Sequence, residues 1–308
     1  MTGLFFLSLD FFAFPQSTTP LIFVLWTIIL IPATITNPTV PFRAISNPSH
    51  FPLDKTTSFT IKDDDMVMGY VSESGRSCAW PLKEMVKPRH IINDTLDGKH
   101  LLITYCPLCK SGIVFSPIIN DQRHIFKVAG LYRRNMIMID DKTKTLWQQA
   151  SGESISGKSH KSELEILFYE IMSWKGWYSE HPNTELAWEP SKKLGIRLIH
   201  KIFARIFEQP KMPKLPGRTK LGKIIDPHTE IFGIRINGKA KAYPVAAFKA
   251  QSILKDEFNG MGVELEYSPS TKSVRGFITK DGDKKPIIVE YHYWFSWKEF
   301  HPETLVHK

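Results

Sequence analysis

Leu101-Leu102-Ile103-Thr104-Tyr105-Cys106-Pro107-Leu108-Cys109-Lys110-Ser111-Gly112-Ile113-Val114-Phe115 decides how the chain is read. Two short runs of branched and aromatic residues, 101–105 and 113–115, flank a C-x-x-C pair. Runs of this length and composition read as buried strands. The cysteines therefore fall on a tight turn between strands. Pro107 fixes one backbone angle and removes a donor, and Gly112 is expected to provide the sharp return. Such a turn suits a dithiol that closes to a disulfide, or a pair of thiolates that grips a metal.

Working outward, strands are expected at 66–71 and 76–80, then a short helix at 81–86 with Pro81 in its first turn. A strand from His90 to Asp94 and a turn at Asp97-Gly98 lead to the cysteine strand. Beyond it, strands are expected at 125–129, 135–139 and 145–148, and a helix at 163–174. The order of features then recurs. Gly75-Arg-Ser-Cys-Ala-Trp-Pro81 aligns with Gly238-Lys-Ala-Lys-Ala-Tyr-Pro244, and Leu101 to Pro107 aligns with Val263 to Pro269. Trp174-x-x-Trp177-x-x-x-His181-Pro182 returns as Trp294-x-x-Trp297-x-x-x-His301-Pro302. A recurring order of landmarks signals repetition. The expected fold class is α+β, strand-rich, built from two degenerate copies of a strand-strand-helix-strand-turn-strand unit. The first copy, 58–190, holds the C-x-x-C site. The second, 224–308, is shorter and has Ser268 and Thr271 in place of Cys106 and Cys109. A turn that accepts Ser and Thr does not need cysteine for packing, which favours chemistry at the pair. The tryptophans and His-Pro pairs occur in both copies, which points to a structural role.

The 308 residues are 42% hydrophobic and carry a net charge of +9, enough apolar material for a sizeable core. Three cysteines exclude a disulfide-stapled scaffold. Residues 191–223 hold ten Lys/Arg against one acid, Glu208, so this segment alone accounts for the whole excess charge. The remainder is neutral, and no nucleic-acid partner is expected. Within that segment Leu194, Leu198, Ile202 and Ile206 recur every fourth residue, with Lys193, Arg197, Lys201 and Arg205 at other positions. This is a basic amphipathic helix suited to an anionic membrane or a partner. Residues 20–36 carry no charge and read as part of a signal or membrane-anchor segment, 1–36, followed by a linker, 37–57. The protein is expected to be membrane-anchored or exported, in an orientation that the sequence leaves open.

The chain resembles the domain of unknown function family 3179, from about residue 67 to 243. The resemblance rests on Trp80-Pro81-Leu82, His90-Ile-Ile-Asn-Asp94, Thr104-Tyr-Cys-Pro-Leu-Cys-x-Ser-Gly112, Gly130-Leu-Tyr132, Asn135-x-x-Met138, Leu146-Trp-x-Gln149, Gly157, Trp174, His181-Pro182 and Ala242-Tyr-Pro244. It implies no settled activity and, for many members, an export signal. Selenocysteine within the same turn of some relatives implies redox use of that position. This chain departs from the usual pattern at Lys110 and in the basic insert 192–223.

Cys106 and Cys109 are thus the candidate catalytic residues. The turn residues Tyr105, Pro107, Lys110, Ser111 and Gly112 surround them in sequence, and Lys110 and His90 would lower a thiol pKa if they lie close. Tyr132, Asn135, Trp147, Gln148 and Gln149 fit the family pattern and are candidates to line a cleft near the turn. A thioredoxin fold is not expected, because a strand rather than a helix follows the pair, and Lys110 excludes the c-type haem motif. A closed zinc site would need four ligands, drawing on Cys78 and a histidine. No cofactor is expected, with a metal ion left open. The leading reading is thiol–disulfide chemistry, with a protein redox partner. The alternative is a non-catalytic metal-binding or protein-binding module. No Ser-His-Asp set, phosphate loop or paired carboxylates stand out.

Overall fold

The computed structural model describes residues 42–52, 61–86, 89–187, 225–249, 251–280 and 282–307. The apolar segment 20–36 and the segment expected to form a basic helix, with Lys193, Arg197, Lys201 and Arg205, lie outside them. No helix of the described residues is long and apolar enough to cross a membrane.

Hairpins dominate because turn chemistry and strand patterning coincide. Asp97-Gly98, Asn237-Gly238 and Asn259-Gly260 all have positive φ at both residues, which matches the right-handed twist of the strands they join. Among the described residues five sheets of four or five strands result, set out like the blades of a propeller, beside a two-stranded hairpin of Ile118–Ile119 and Gln122–Arg123. Blade I has the strand order Glu170–Ser173, Met66–Val71, Ser77–Pro81, Glu185–Ala187, His50–Pro52. Blade II runs Ile45–Ser46, Ile91–Leu96, Lys99–Cys106, Ser111–Phe115. Blade III is a meander of Phe126–Tyr132, Asn135–Asp140, Leu146–Gln148 and Ser154–Ser156. Blade IV runs Glu290–Tyr293, Glu230–Ile236, Lys239–Pro244, Leu305–Val306. Blade V is the meander Ile253–Phe258, Met261–Ser268, Ser273–Lys280, Asp283–Ile287.

This corrects the expected α+β class and its two-copy unit. The described helices are short pieces, Leu82–Val86, Trp174–Glu180 and Trp294–Phe300, with a 3₁₀ turn at Val245–Lys249. They cap sheet ends and form no layer of their own. What recurs is the blade, and blade III has no counterpart in a two-copy scheme. The expected helix at 163–174 is also corrected. Leu164, Leu167 and Ile171 have helical spacing, but the backbone there is extended. Its groups pair with other segments: Leu167 N–H donates to Val114 O (2.9 Å), Glu165 O accepts from Ser116 N–H (2.9 Å), and Glu170–Ser173 joins Met66–Gly69. Partners on neighbouring strands override local periodicity.

Blades I and IV are closed in the same way. Gly69 and Gly233 let an indole lie flat on the sheet: a Cβ there would come within 2.2 Å of Trp177 and 2.4 Å of Trp297. Each indole N–H donates to a threonine hydroxyl, Trp177 to Thr184 and Trp297 to Thr304, both at 2.8 Å. His181 and His301 pack tilted against these indoles with ring centroids 4.1 Å apart in both cases. The tryptophans and His-Pro pairs thus close blades, as their recurrence implied. One apolar core joins blades I, II and III and takes in Phe295 from blade IV, and a second joins blades IV and V.

Candidate functional site

The cysteines sit where the Lys99–Cys106 strand turns into Ser111–Phe115. Cys106 pairs with Ser111 across the hairpin, and Cys109 N–H donates to Cys106 O at 3.1 Å. The return is made by Lys110, with φ 56°, and not by Gly112. Gly112 is needed for another reason. A Cβ there would lie 2.4 Å from Met68 Cε, so the glycine lets blade I approach.

Both thiols are free and buried. Cys109 donates its S–H to Arg134 O at 3.0 Å. When Cys106 ionises, its sulfur takes over that single S–H from Arg134 O; this and the backbone N–H groups of Cys109, Met136 and Leu108 lower its pKa against the opposing effect of burial. Burial, together with that same bond to Cys106, pushes the Cys109 thiol well up. The two sulfurs are therefore polarised in opposite senses, with Cys106 the better thiolate.

Beside the turn lies a buried polar cluster. Ser111 Oγ donates to Gln149 Oε1 (2.9 Å), as does Asn135 Nδ2 (2.9 Å), while Gln149 Nε2 donates to Thr104 Oγ1 (3.1 Å). Asn135 Oδ1 accepts from Gln148 Nε2 (2.7 Å) and from Ala150 N–H (3.0 Å). A satisfied buried network fixes the geometry of the groups around it. Blade III thus lies over the turn through Arg134, Asn135 and Met136.

Of the expected neighbours, Tyr105, Ser111, Gly112, Asn135, Gln148 and Gln149 gather at the turn. Pro107 is half-buried on it. Burial drives the Tyr105 hydroxyl pKa upward. Lys110 turns away: its Nζ bonds the Glu230 carboxylate, donates to Tyr291 OH at 3.0 Å, and sits 4.8 Å from the Tyr291 ring centre. His90 is corrected. Its Nδ1 engages Met85 O at 2.8 Å, its ring stacks on Phe42, and burial lowers its pKa to about 4, so it brings no positive charge to the thiols at neutral pH. Tyr132 is also corrected: it is 54% exposed at the end of its strand. Trp147 is buried elsewhere, donating from Nε1 to Asp140 Oδ2 at 3.1 Å.

Cys78 lies in blade I, paired in register with Glu185. Two groups of three potential metal ligands occur among the described residues, His124–Asp140–Asp141 and Glu170–Glu180–His181, and neither includes a cysteine. A cavity of about 650 Å³, walled by aromatic residues such as Tyr169, Phe232, Tyr267 and Phe277, reaches Lys110 and Tyr291.

Sequence reading missed the contribution of blade IV. Tyr293 N–H donates to Cys109 O at 2.9 Å, and Phe295 packs in the core that holds both cysteines. Ser296, one residue on, is near enough to Cys109 to oppose the effect of burial on its thiol. Its hydroxyl is one of three buried side-chain polar atoms without a hydrogen bond among the described residues, with Arg123 Nε and His292 Nδ1. The sequence held one signal for it: Trp174-Lys175-Gly176-Trp177 aligns with Trp294-Phe295-Ser296-Trp297, so a serine replaces a glycine.

No curated protein and no solved structure matches the chain. Residues 40–194, half of the chain, match the family described as protein of unknown function (DUF3179). That span takes in the cysteine turn, the polar cluster and the closing helix of blade I, and the chain belongs to this family.

Proposed function

We propose that the protein carries out thiol–disulfide exchange through Cys106 and Cys109. The observation that carries this reading is a pair of free, buried cysteines at the two ends of one hairpin turn, Cys106 pairing with Ser111 and Cys109 N–H donating to Cys106 O, with the surrounding backbone N–H groups favouring the Cys106 thiolate. Cys106 attacks one sulfur of a substrate disulfide and expels the other as a thiolate. Cys109 then gives up its proton and attacks the Cys106 sulfur, forming the intramolecular disulfide and releasing the second substrate thiol. Two cysteine thiols are oxidised and one substrate disulfide is reduced.

Burial of both sulfurs selects against a folded partner docking directly. The turn must open away from blade III, and a small disulfide or an extended segment is the substrate class that such an opening admits. The metal-binding alternative is less favoured, since the two thiols gain no third ligand from the described residues. Attachment to a membrane rests on the uncharged segment 20–36 and the basic segment 191–223.

The test is differential alkylation of the full chain after equilibration in glutathione redox buffers, read by mass spectrometry. Cys106 and Cys109 should lose two reactive thiols together at one potential, with Cys78 unchanged. Two thiols that stay reduced across the whole range, or a bound metal that blocks both, would overturn the proposal.

A further inference from the structure

Each closing helix docks on a turn of another blade. Ser173 N–H, at the start of the blade I helix, donates to Thr271 O at 2.7 Å. Tyr293 N–H, at the start of the blade IV helix, donates to Cys109 O at 2.9 Å. Three residues further on, the two helices differ. A Cβ built on Gly176 would lie 2.7 Å from Thr271 Cβ and Cγ2, so glycine is what fits there. The matching position in blade IV carries Ser296, and the side chain matching Thr271 is Cys109. A serine stands where its counterpart could not hold a side chain, and its buried hydroxyl has no hydrogen bond. An unpartnered buried donor in a folded protein calls for an explanation, and a group that charges only during a reaction is one.

We infer that Ser296 is the donor that stabilises the Cys109 thiolate when it resolves the mixed disulfide. This rests on the redox reading above. While Cys109 is neutral, its S–H donates to Arg134 O and the sulfur asks little of Ser296. Once the proton leaves, the sulfur becomes an acceptor and the Arg134 carbonyl opposes it. The Ser296 hydroxyl then donates, with the Asn135 amide beside it, and both oppose the effect of burial on this thiol. The Cys109 electron pair forms the bond to Cys106 sulfur, the bond from Cys106 to the substrate sulfur breaks, and the leaving thiolate takes up the proton.

The test uses the full chain and 5,5′-dithiobis(2-nitrobenzoate), which releases one coloured thiolate when Cys106 reacts and a second when Cys109 resolves. Ser296→Ala should leave the first release unchanged and slow the second about tenfold near neutral pH, with its pH midpoint moved upward. Ser296→Thr, which keeps the hydroxyl, should restore the second release. Thermal melting should show Ser296→Ala at least as stable as the parent, since it removes an unpartnered group. A second release unchanged in Ser296→Ala overturns the inference while leaving the redox reading in place. A parent protein that gives one release and no second overturns both.

Discussion

At one end of blade II the chain turns through Cys106, Pro107, Leu108 and Cys109; at the matching end of blade V it turns through Ser268, Pro269, Ser270 and Thr271. Both leave through a left-handed lysine, Lys110 with φ 56° and Lys272 with φ 53°. Both pair their first residue with a serine, Ser111 or Ser273, and both receive a backbone N–H from a closing helix. Their surroundings differ. Cys106 and Cys109 are buried under Arg134, Asn135 and Met136 of blade III, whereas Pro269 and Ser270 are exposed and the Ser268 hydroxyl bonds its neighbours Ser270 and Thr271. Turn geometry alone therefore does not set the chemistry of the side chains it presents. The cover does, because burial and directed N–H groups are what polarise the two thiols.

The largest way to strain this comparison is to remove the indoles. Trp297→Ala and Trp177→Ala should each lose roughly 3–5 kcal/mol in chemical denaturation, as fully buried aromatics do. Only Trp297→Ala should also speed alkylation of Cys106 and Cys109, since its helix carries Tyr293 and Ser296. Equal acceleration in both variants would mean that the two junctions are not independent.

Next comes the cover. Asn135→Ala leaves Gln148 Nε2 and the Ala150 N–H short of an acceptor and should cost about 3 kcal/mol, since each orphaned buried group costs on the order of 1–3. Ser268→Ala, in the open turn, should fall within about 0.5 kcal/mol of the parent. If urea midpoints for the two variants coincide, blade III does not hold the turn as described.

A transplant sharpens the point further. A chain carrying Ser268→Cys and Thr271→Cys has two dithiols on similar turns, one covered and one open. Iodoacetamide should modify the open pair roughly a hundredfold faster, since access and thiolate fraction govern the rate. Similar rates would show that burial does not protect the native pair.

The smallest effect concerns acid. Burial lowers the His301 pKa to about 4, against the pull of Glu290, while Arg235 and His292 add to the lowering. Its folded form is therefore neutral, and the unfolded chain takes up the proton first. Stability from this group is complete above pH 6.5 and declines as pH falls toward 4, with about 2 kcal/mol gone at pH 5. Melting temperatures of His301→Asn should fall less steeply between pH 7 and 5 than those of the parent. Some slope should remain, because His90 is held neutral in the same way. An unaltered slope would rule His301 out.

Much of this was legible in the sequence. The strand–turn–strand reading of 101–115, the hairpin at Asp97-Gly98 and the two Trp/His-Pro closures are all local, and local signals survive into the fold. Asn135, Gln148 and Gln149 were also legible, through their resemblance to the family pattern. The strand that completes blade I was not. Glu170–Ser173 reads as helix because its partners, Met66–Gly69, are far away in the chain. The roles of His90 and Lys110 failed for a related reason: nearness in sequence to the cysteines says nothing of where a long side chain finds its partner. Ser296 could have been noticed as a serine standing where the aligned tryptophan segment has Gly176, but only the fold says what lies beside it.

Blade closure bears on how the chain is made. The hairpin of Met66–Val71 and Ser77–Pro81 is finished early, but its inner neighbour begins roughly ninety residues later, which at ribosomal speeds of about 5–20 residues per second is a wait of roughly 5–20 s. For that interval the Met66–Val71 strand presents open N–H and C=O groups to any chain that passes. Blades II and III are complete before the wait ends. The nascent protein therefore assembles from its middle outward, and the pair of cysteines is covered before the blade on which it will lean has closed.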